Sequence, residues 1–419
     1  MYQTIDKNFA LKVRMYRVEQ GLSLRALADA TSLSKSHLSD IERGLVPVHL
    51  DAVNTLKRVL QFNHRTTSRH VTAFKRTTSE LHDMLISGDE AGAQALAATL
   101  EKHMITYTSG PLCLEYYLIM LMYALFTERK RIVIEPYFKR VEAVADLLEG
   151  SKKRWVLLLR MFYYLYLYDL KRTEQALAAL RETTLSPLYE GFALYIEAML
   201  HVYDYRRFTA ALEIFDKAKA QFIGLNSFYF VMRIRVIEQR LHVYRQSFVI
   251  FWQLHEATES YAQIHGNSLL QRDNQGNVLR YHLINGDYTS MVELIETFDE
   301  RQQIDQFLQI YALYRLGRHN DAQRLIHMVD ITPESSFMIP LQQGIETLAH
   351  MIQTDADQLD LRRLVAFAES AYQASNYLMI RISHKILSEA LQARRQYKEA
   401  LYYGERLLTI MWAMTGGVR

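Results

Sequence analysis

The sequence predicts an all-α protein in which a short basic domain precedes a long right-handed helical solenoid, and three observations carry that expectation. Among 419 residues there are only six prolines, and no segment shows Val/Ile/Thr alternation, which argues against strands. Helix-capping residues divide the first sixty positions into short amphipathic segments. Beyond them one theme recurs about every 37–39 residues: a long apolar-periodic helix, a short break, then a second helix with alanine near its first turn.

The totals narrow the class. Apolar residues make up 49% of the chain, which excludes wholesale disorder. The single cysteine, Cys113, permits neither an internal disulfide nor a thiolate metal cage, which suits a reducing cytoplasm. Placed among Leu and Tyr, it reads as a small buried hydrophobe. The N-terminal "MYQTIDKNFALKVRM" has no apolar stretch followed by small residues, as a secretion signal would. The longest greasy run, "WVLLLRMFYYLYLYDL", is too short to span a bilayer, contains Arg160, and reads as core packing; a cytoplasmic protein without membrane contact is expected. Charge is uneven. Residues 1–76 hold 13 Lys/Arg against six Asp/Glu, whereas the remainder holds 36 against 40, the footprint of a nucleic-acid module on a neutral body.

Within the N-terminal sixty residues, Gly21 closes a first helix, Ser23 caps a second, Ser34 caps a third that ends at Gly44, and Leu50–Leu60 forms another. Only "TSL" separates the second and third, so these helices must cross steeply, bringing Leu27, Ala28, Leu33, Leu38 and Ile41 together. The segments "GLSLRALA" and "LSKSHLSDIERG", followed by an apolar helix, resemble the helix-turn-helix domain of the XRE/Cro/phage-repressor family. The resemblance implies that Lys35, Ser36 and Asp40 face base edges, with His37 and Ser39 nearby and Arg43 close to a phosphate. It also implies a structural pair between Arg17 and Glu42. Two positions depart from the family pattern. Leu24 replaces a Gln that touches the DNA backbone, and Ser32 stands where Gly takes a left-handed conformation, at a cost of up to about 1 kcal/mol. Asp40 has two readings: it accepts from cytosine N4 and selects sequence, or it pairs with Arg43 one helical turn on. In the first, affinity comes from phosphate contacts by Arg43, Arg25 and the basic tail of the domain.

We place a helix-turn-helix domain over residues 1–64, a basic linker over 65–75 within the acid-free run from Arg65 to Arg76, and the repeat domain over 76–419. The run extends the phosphate contacts or forms a solvated linker helix. In the repeat domain Ala176, Ala211, Ala322 and Ala400 are 35, 111 and 78 residues apart, and breaks at 87–90, 244–247, 285–288 and 355–358 fill the intervening periods. These spacings give about nine helical hairpins. "FTAALEIFDKA" and "YKEALYY" resemble the second helix of tetratricopeptide repeats, without the full consensus. A helix-turn-helix fused to such a solenoid resembles the peptide-responsive regulators of the Rap/Rgg/NprR/PlcR/PrgX (RRNPP) superfamily of Gram-positive bacteria and their phages, which includes the AimR type. The resemblance implies a transcriptional regulator for quorum sensing, in which a short peptide lies in the concave groove and changes how a homodimer presents its two heads to double-stranded DNA with a two-fold operator.

An extended peptide offers unpaired backbone groups that Asn can satisfy. "LLQRDNQGNVLRYHL" places Asn274 and Asn277 around Gly276, an interruption of the first helix of a repeat, with Gln271, Asn274 and Tyr281 along one stripe. The preceding repeat shows Asn226, Tyr229, Arg233 and Arg240 along one face, opposite Val231, Ile234 and Leu241, and either arginine can receive a peptide carboxylate. These eight residues form the candidate peptide site; an ordinary loop and inter-repeat packing are the competing readings. No Gly-rich phosphate loop, paired cysteines, H-E-x-x-H or nucleophile elbow is present, so neither an enzyme, a cofactor nor a metal site is expected. A second function class stays open: a repeat scaffold that sequesters a protein such as a response regulator, with DNA binding secondary.

Overall fold

The structure, a computed structural model, describes residues 2–3, 7–62, 66–128, 130–204, 207–329, 337–354 and 359–414. Arg65 and the break at 355–358 lie outside the described residues. The chain forms two compact units, residues 1–166 with 171–189, and residues 167–170 with 190–419. It is all-α, a helix-turn-helix followed by helical repeats; its short strands β1 (Tyr2–Gln3) and β2 (Val48–His49) pair antiparallel, with Tyr2 opposite His49.

The first unit begins with α1 (Lys7–Glu19), α2 (Leu24–Thr31), α3 (Lys35–Glu42) and α4 (Leu50–Val59). Capping sets their limits. Ser23 Oγ accepts from Ala26 N and Ser34 Oγ from His37 N, each at the start of a helix. Ser32 takes the left-handed conformation expected of it, at φ 58°, and Gly44 does so at φ 69°. Val13, Leu27, Ala28, Leu38, Ile41, Val53, Leu56 and Leu60 form one buried core, with Leu33 packed against it. Arg17 Nε and Nη2 donate to Glu42 Oε1 and Oε2 at 2.6 and 2.9 Å, and Arg17 Nη1 donates to the Leu22 carbonyl. That buried bidentate pair ties α1 to α3.

The same unit continues with α5 (Ser68–Ser87), α6 (Glu90–Lys102), the short α7 (Met104–Thr108), α8 (Cys113–Tyr123), α9 (Arg131–Glu142), α10 (Gly150–Tyr166) and α11 (Leu170–Arg181). Residues 68–75 are thus the first two turns of α5, capped by Thr67. Helix α8 is buried on all sides, as its uniform apolarity demands, and Cys113 lies within it with its thiol pushed upward by burial. Of the Tyr-rich run, Phe162 and Tyr163 are core, and Tyr163 stacks on Phe138 at 3.6 Å.

Helix α1 docks on this part of the unit. Lys12 Nζ donates to the Ser109 carbonyl at 2.6 Å, Tyr16 Oη to Thr108 Oγ1 at 3.3 Å, Arg14 pairs with Asp146 at 3.0 Å, and Arg140 pairs with Glu19. Lys12 and Arg14 of the basic head are therefore engaged by the chain itself, as Arg17 is by Glu42.

The second unit contains α12 (Pro187–Val202, entering at Glu190), α13 (Phe208–Gly224), α14 (Phe228–Tyr244), α15 (Phe248–Ile264), α16 (Ser268–Asn285) and α17 (Tyr288–Glu296). It continues through α18 (Gln303–Arg315), α19 (His319–Met328), α20 (Ile339–Gln353), α21 (Leu361–Gln373), α22 (Tyr377–Ala393) and α23 (Tyr397–Met414). From α5 onward, with the short α7 set aside, successive helices pack as hairpins in α5–α6, α8–α9, α14–α15, α16–α17, α18–α19, α20–α21 and α22–α23. The marker alanines, in the second helices α11, α13, α19 and α23, are all buried, Ala211 and Ala322 completely. Their small side chains let paired helices approach closely. At Gly191 even a Cβ would come within 3.0 Å of the Phe222 ring.

Candidate functional site

The turn between α2 and α3 holds α3 with one face in the core, through Leu38 and Ile41, and the other outward. On the outer side Lys35, Ser36 and Arg43 are exposed, and His37, Ser39 and Asp40 are partly so; Arg25 is exposed on α2. Among the described residues none of these side chains has a hydrogen-bond or ion-pair partner. Asp40 in particular does not pair with Arg43, so its carboxylate stands without an ion-pair partner among the described residues. Such a face combines cations for phosphates with donors and acceptors for base edges.

Residues 8–70 match the family model described as a helix-turn-helix domain. Most of the chain is similar in fold to two solved structures. One is a Rap protein complexed with competence and sporulation factor, at a TM-score of 0.56 and 12% identity, covering 82% of this chain and 98% of that one. The other is NprR in complex with its cognate peptide NprX, at 0.50 and 12% identity, covering 83% and 99%. No curated protein sequence matches the chain. The helix-turn-helix domain and the Rap/NprR-like repeat fold are the two features on which the superfamily resemblance rests, and both are present. Among the described residues no helix is long and apolar enough to cross a membrane, and no group of three or more His, Cys, Asp or Glu could hold a metal ion.

In the second unit, helix α16 runs unbroken through Asn274, Gly276 and Asn277, so the expected interruption is corrected. Asn267 caps its start and Gly286 its end, and partners in neighbouring helices hold the two asparagines. Asn274 Nδ2 donates to Glu259 Oε2 at 2.8 Å, where Gln271 Nε2 also donates to Oε1 at 3.0 Å. Asn277 Nδ2 donates to the Val236 carbonyl at 2.6 Å and lies 3.3 Å from Gln239 Oε1. Both asparagines are fully buried, and each keeps an Oδ1 without a partner. Tyr281 packs against Phe248, Phe251 and Trp252. On α14, Tyr229 is buried beside Phe230, and Arg233 lies over both rings. Asn226 is exposed at the turn before α14, with a left-handed φ of 54°. Val231, Ile234 and Leu241 are core.

Arg240 differs from the other sequence candidates. Its Nε is buried and unpartnered, as is that of Arg280 one repeat later on α16. Gly276 gives Arg280 its place: a Cβ there would lie 3.3 Å from Arg280 Nη1, which donates to the Gly276 carbonyl at 2.6 Å. Burial, then the charge of Arg240, push Arg280 below the ordinary arginine range. Among the described residues neither guanidinium has an ion-pair partner; nearby Asp305 is paired with Arg272. Rings border the pair. Tyr168 stacks on Phe337 at 3.9 Å and meets Tyr203 at 5.4 Å, while Tyr244 meets Tyr377 at 4.4 Å. Arg280 was missed by sequence reasoning because it lies 40 residues from Arg240. Its only local signal was Gly276, four positions earlier, which reads as a breaker until the space it leaves is seen to be filled.

Proposed function

We propose that the chain is a cytoplasmic, non-catalytic transcriptional regulator that binds DNA through α3 and is controlled by a short signalling peptide held in the repeat domain. The unpartnered outer face of α3 carries the DNA half of this reading, with Lys35, Ser36, His37, Ser39 and Asp40 at base edges and Arg25 and Arg43 at phosphates. Two partly buried like charges side by side, neither in an ion pair with a carboxylate among the described residues, favour an anionic guest, which supports Arg240 with Arg280 as the anchor for a peptide carboxylate. The two similar structures, each a complex with a peptide or factor, agree with this. Asn226, Tyr229, Arg233, Gln271, Asn274, Asn277 and Tyr281 complete the proposed peptide region; the two buried asparagines would offer their free Oδ1 atoms once α14–α16 adjust around a guest.

One head of about sixty residues reads only a few base pairs, so a two-fold operator needs two. We place the homodimer contact on α23, where Tyr397, Leu401, Leu408 and Trp412 are exposed at spacings that bring them to one face.

The test is a gel shift with the full-length protein and DNA flanking its own gene, with and without short synthetic peptides from neighbouring reading frames. Sequence-specific binding that a peptide alters is expected. Arg240→Gln combined with Arg280→Gln should abolish the peptide response and leave DNA binding in place. Asp40→Ala should change which base is tolerated in the half-site. No specific binding at low salt overturns the regulator, and binding that no peptide alters returns the repeats to the scaffold role.

A further inference from the structure

The second unit also holds a cavity of about 270 Å³ whose lining does not include Arg240 or Arg280. Leu283, Ile284, Ile382 and Leu407 make part of its wall apolar, and Arg381 and Lys385 make part of it cationic. Arg381 Nη2 donates to the Ile284 carbonyl at 3.3 Å, and Lys385 Nζ to Tyr288 Oη at 3.3 Å. Among the described residues neither cation pairs with a carboxylate. The one acid in the wall, Glu389, is already held by Arg315 at 2.6 Å.

His384 adds a second, independent observation. It lines the cavity, is only 1% exposed, and its Nε2 has no partner. Burial first, and Arg406 second, push this imidazole down to about 4, so it is neutral near pH 7. Ser383 Oγ donates to the Ile380 carbonyl at 3.2 Å and so accepts from the ring Nδ1 at 3.3 Å, which assigns the proton to Nδ1 and leaves Nε2 as an acceptor. A complementary guest therefore has an apolar body, one carboxylate and an N–H donor near it.

We propose that this cavity binds a hydrophobic amino-acid unit with a free carboxylate: Arg381 and Lys385 take the carboxylate, the Leu and Ile side chains take the apolar group, and the buried His384 Nε2 accepts the neighbouring N–H once the wall adjusts around the guest. A free amino acid and the last residue of a peptide share this chemistry. The assignment depends neither on DNA binding nor on the Arg240–Arg280 pair, so it can fail or stand separately from the regulatory reading.

Calorimetric titration of the full-length protein with leucine, N-acetyl-leucine and leucinamide tests it. Saturable binding of one or both acids is expected, with the amide roughly tenfold weaker or worse, the factor lost with a charge-assisted contact. Lys385 is exposed, so Lys385→Gln should weaken acid binding about tenfold without shifting the thermal unfolding midpoint. Tighter binding of leucine than of N-acetyl-leucine identifies a free amino acid as the guest, and the reverse order identifies a peptide end. No saturable heat with either acid, equal affinity for acid and amide, or binding undiminished by Lys385→Gln and Arg381→Gln together overturns the proposal.

Discussion

Helices α3 and α16 both carry polar residues where a regular core helix would not, yet they use them in opposite ways. On α3, Lys35, Ser36, His37, Ser39 and Asp40 find no partner within the described chain. On α16, Gln271, Asn274 and Asn277 are tied to Glu259, Val236 and Gln239 of the preceding repeat. A polar side chain therefore signals a ligand only when its donors and acceptors lack partners at home. By that measure the groups to weigh in the repeats are the unpartnered Nε atoms of Arg240 and Arg280 and the Oδ1 atoms of Asn274 and Asn277, and only the two guanidiniums among them carry charge.

The comparison can be broken most sharply at its structural base. Arg17→Ala leaves Glu42, 3% exposed, as a buried carboxylate without its bidentate partner, and should destabilise the head by about 3–5 kcal/mol. Hydrogen exchange in α1 and α3 should then lose its protection while α8 keeps its own; unchanged protection in α3 would show that the pair does not hold the recognition helix. Next comes a paired test of the two helices. Asn277→Leu removes a buried hydrogen-bond network and should cost about 1–3 kcal/mol, visible as a lowered urea midpoint, whereas Lys35→Ala should stay within about 0.5 kcal/mol of the parent. Equal shifts for both would erase the distinction drawn between α3 and α16. The smallest effect is a gain. Ser32→Gly relieves a left-handed residue at φ 58° and should stabilise the head by up to about 1 kcal/mol, read as a raised thermal midpoint.

Several features of the head are legible in the sequence because each rests on chemistry within a few residues. Ser23 and Ser34 cap because their hydroxyls reach amides three positions on, and Ser32 is left-handed because a three-residue link leaves no other path between two helices. The buried alanines of the repeats are legible for a similar reason, since periodicity alone places them at helix crossings. The charge of residues 1–76 is misleading in one respect. Lys12 and Arg14 belong to the basic count, but Ser109 and Asp146, about a hundred residues on, engage them.

By itself the amino-acid sequence determined the all-α class, the helix limits of the head, the spacing of the hairpins and the set of polar residues from which any site must be drawn. Those properties follow from backbone conformation and from apolar periodicity, both of which act over a turn or two of helix. Tertiary structure alone decided which polar groups remain available: it tied Asn277 Nδ2 to a carbonyl 41 residues away, set Arg280 beside Arg240, and left the buried His384 Nε2 without a partner beside a cavity built from distant helices. Whether a donor or acceptor is satisfied depends on its neighbours in space, and the stacking of repeats chooses those neighbours.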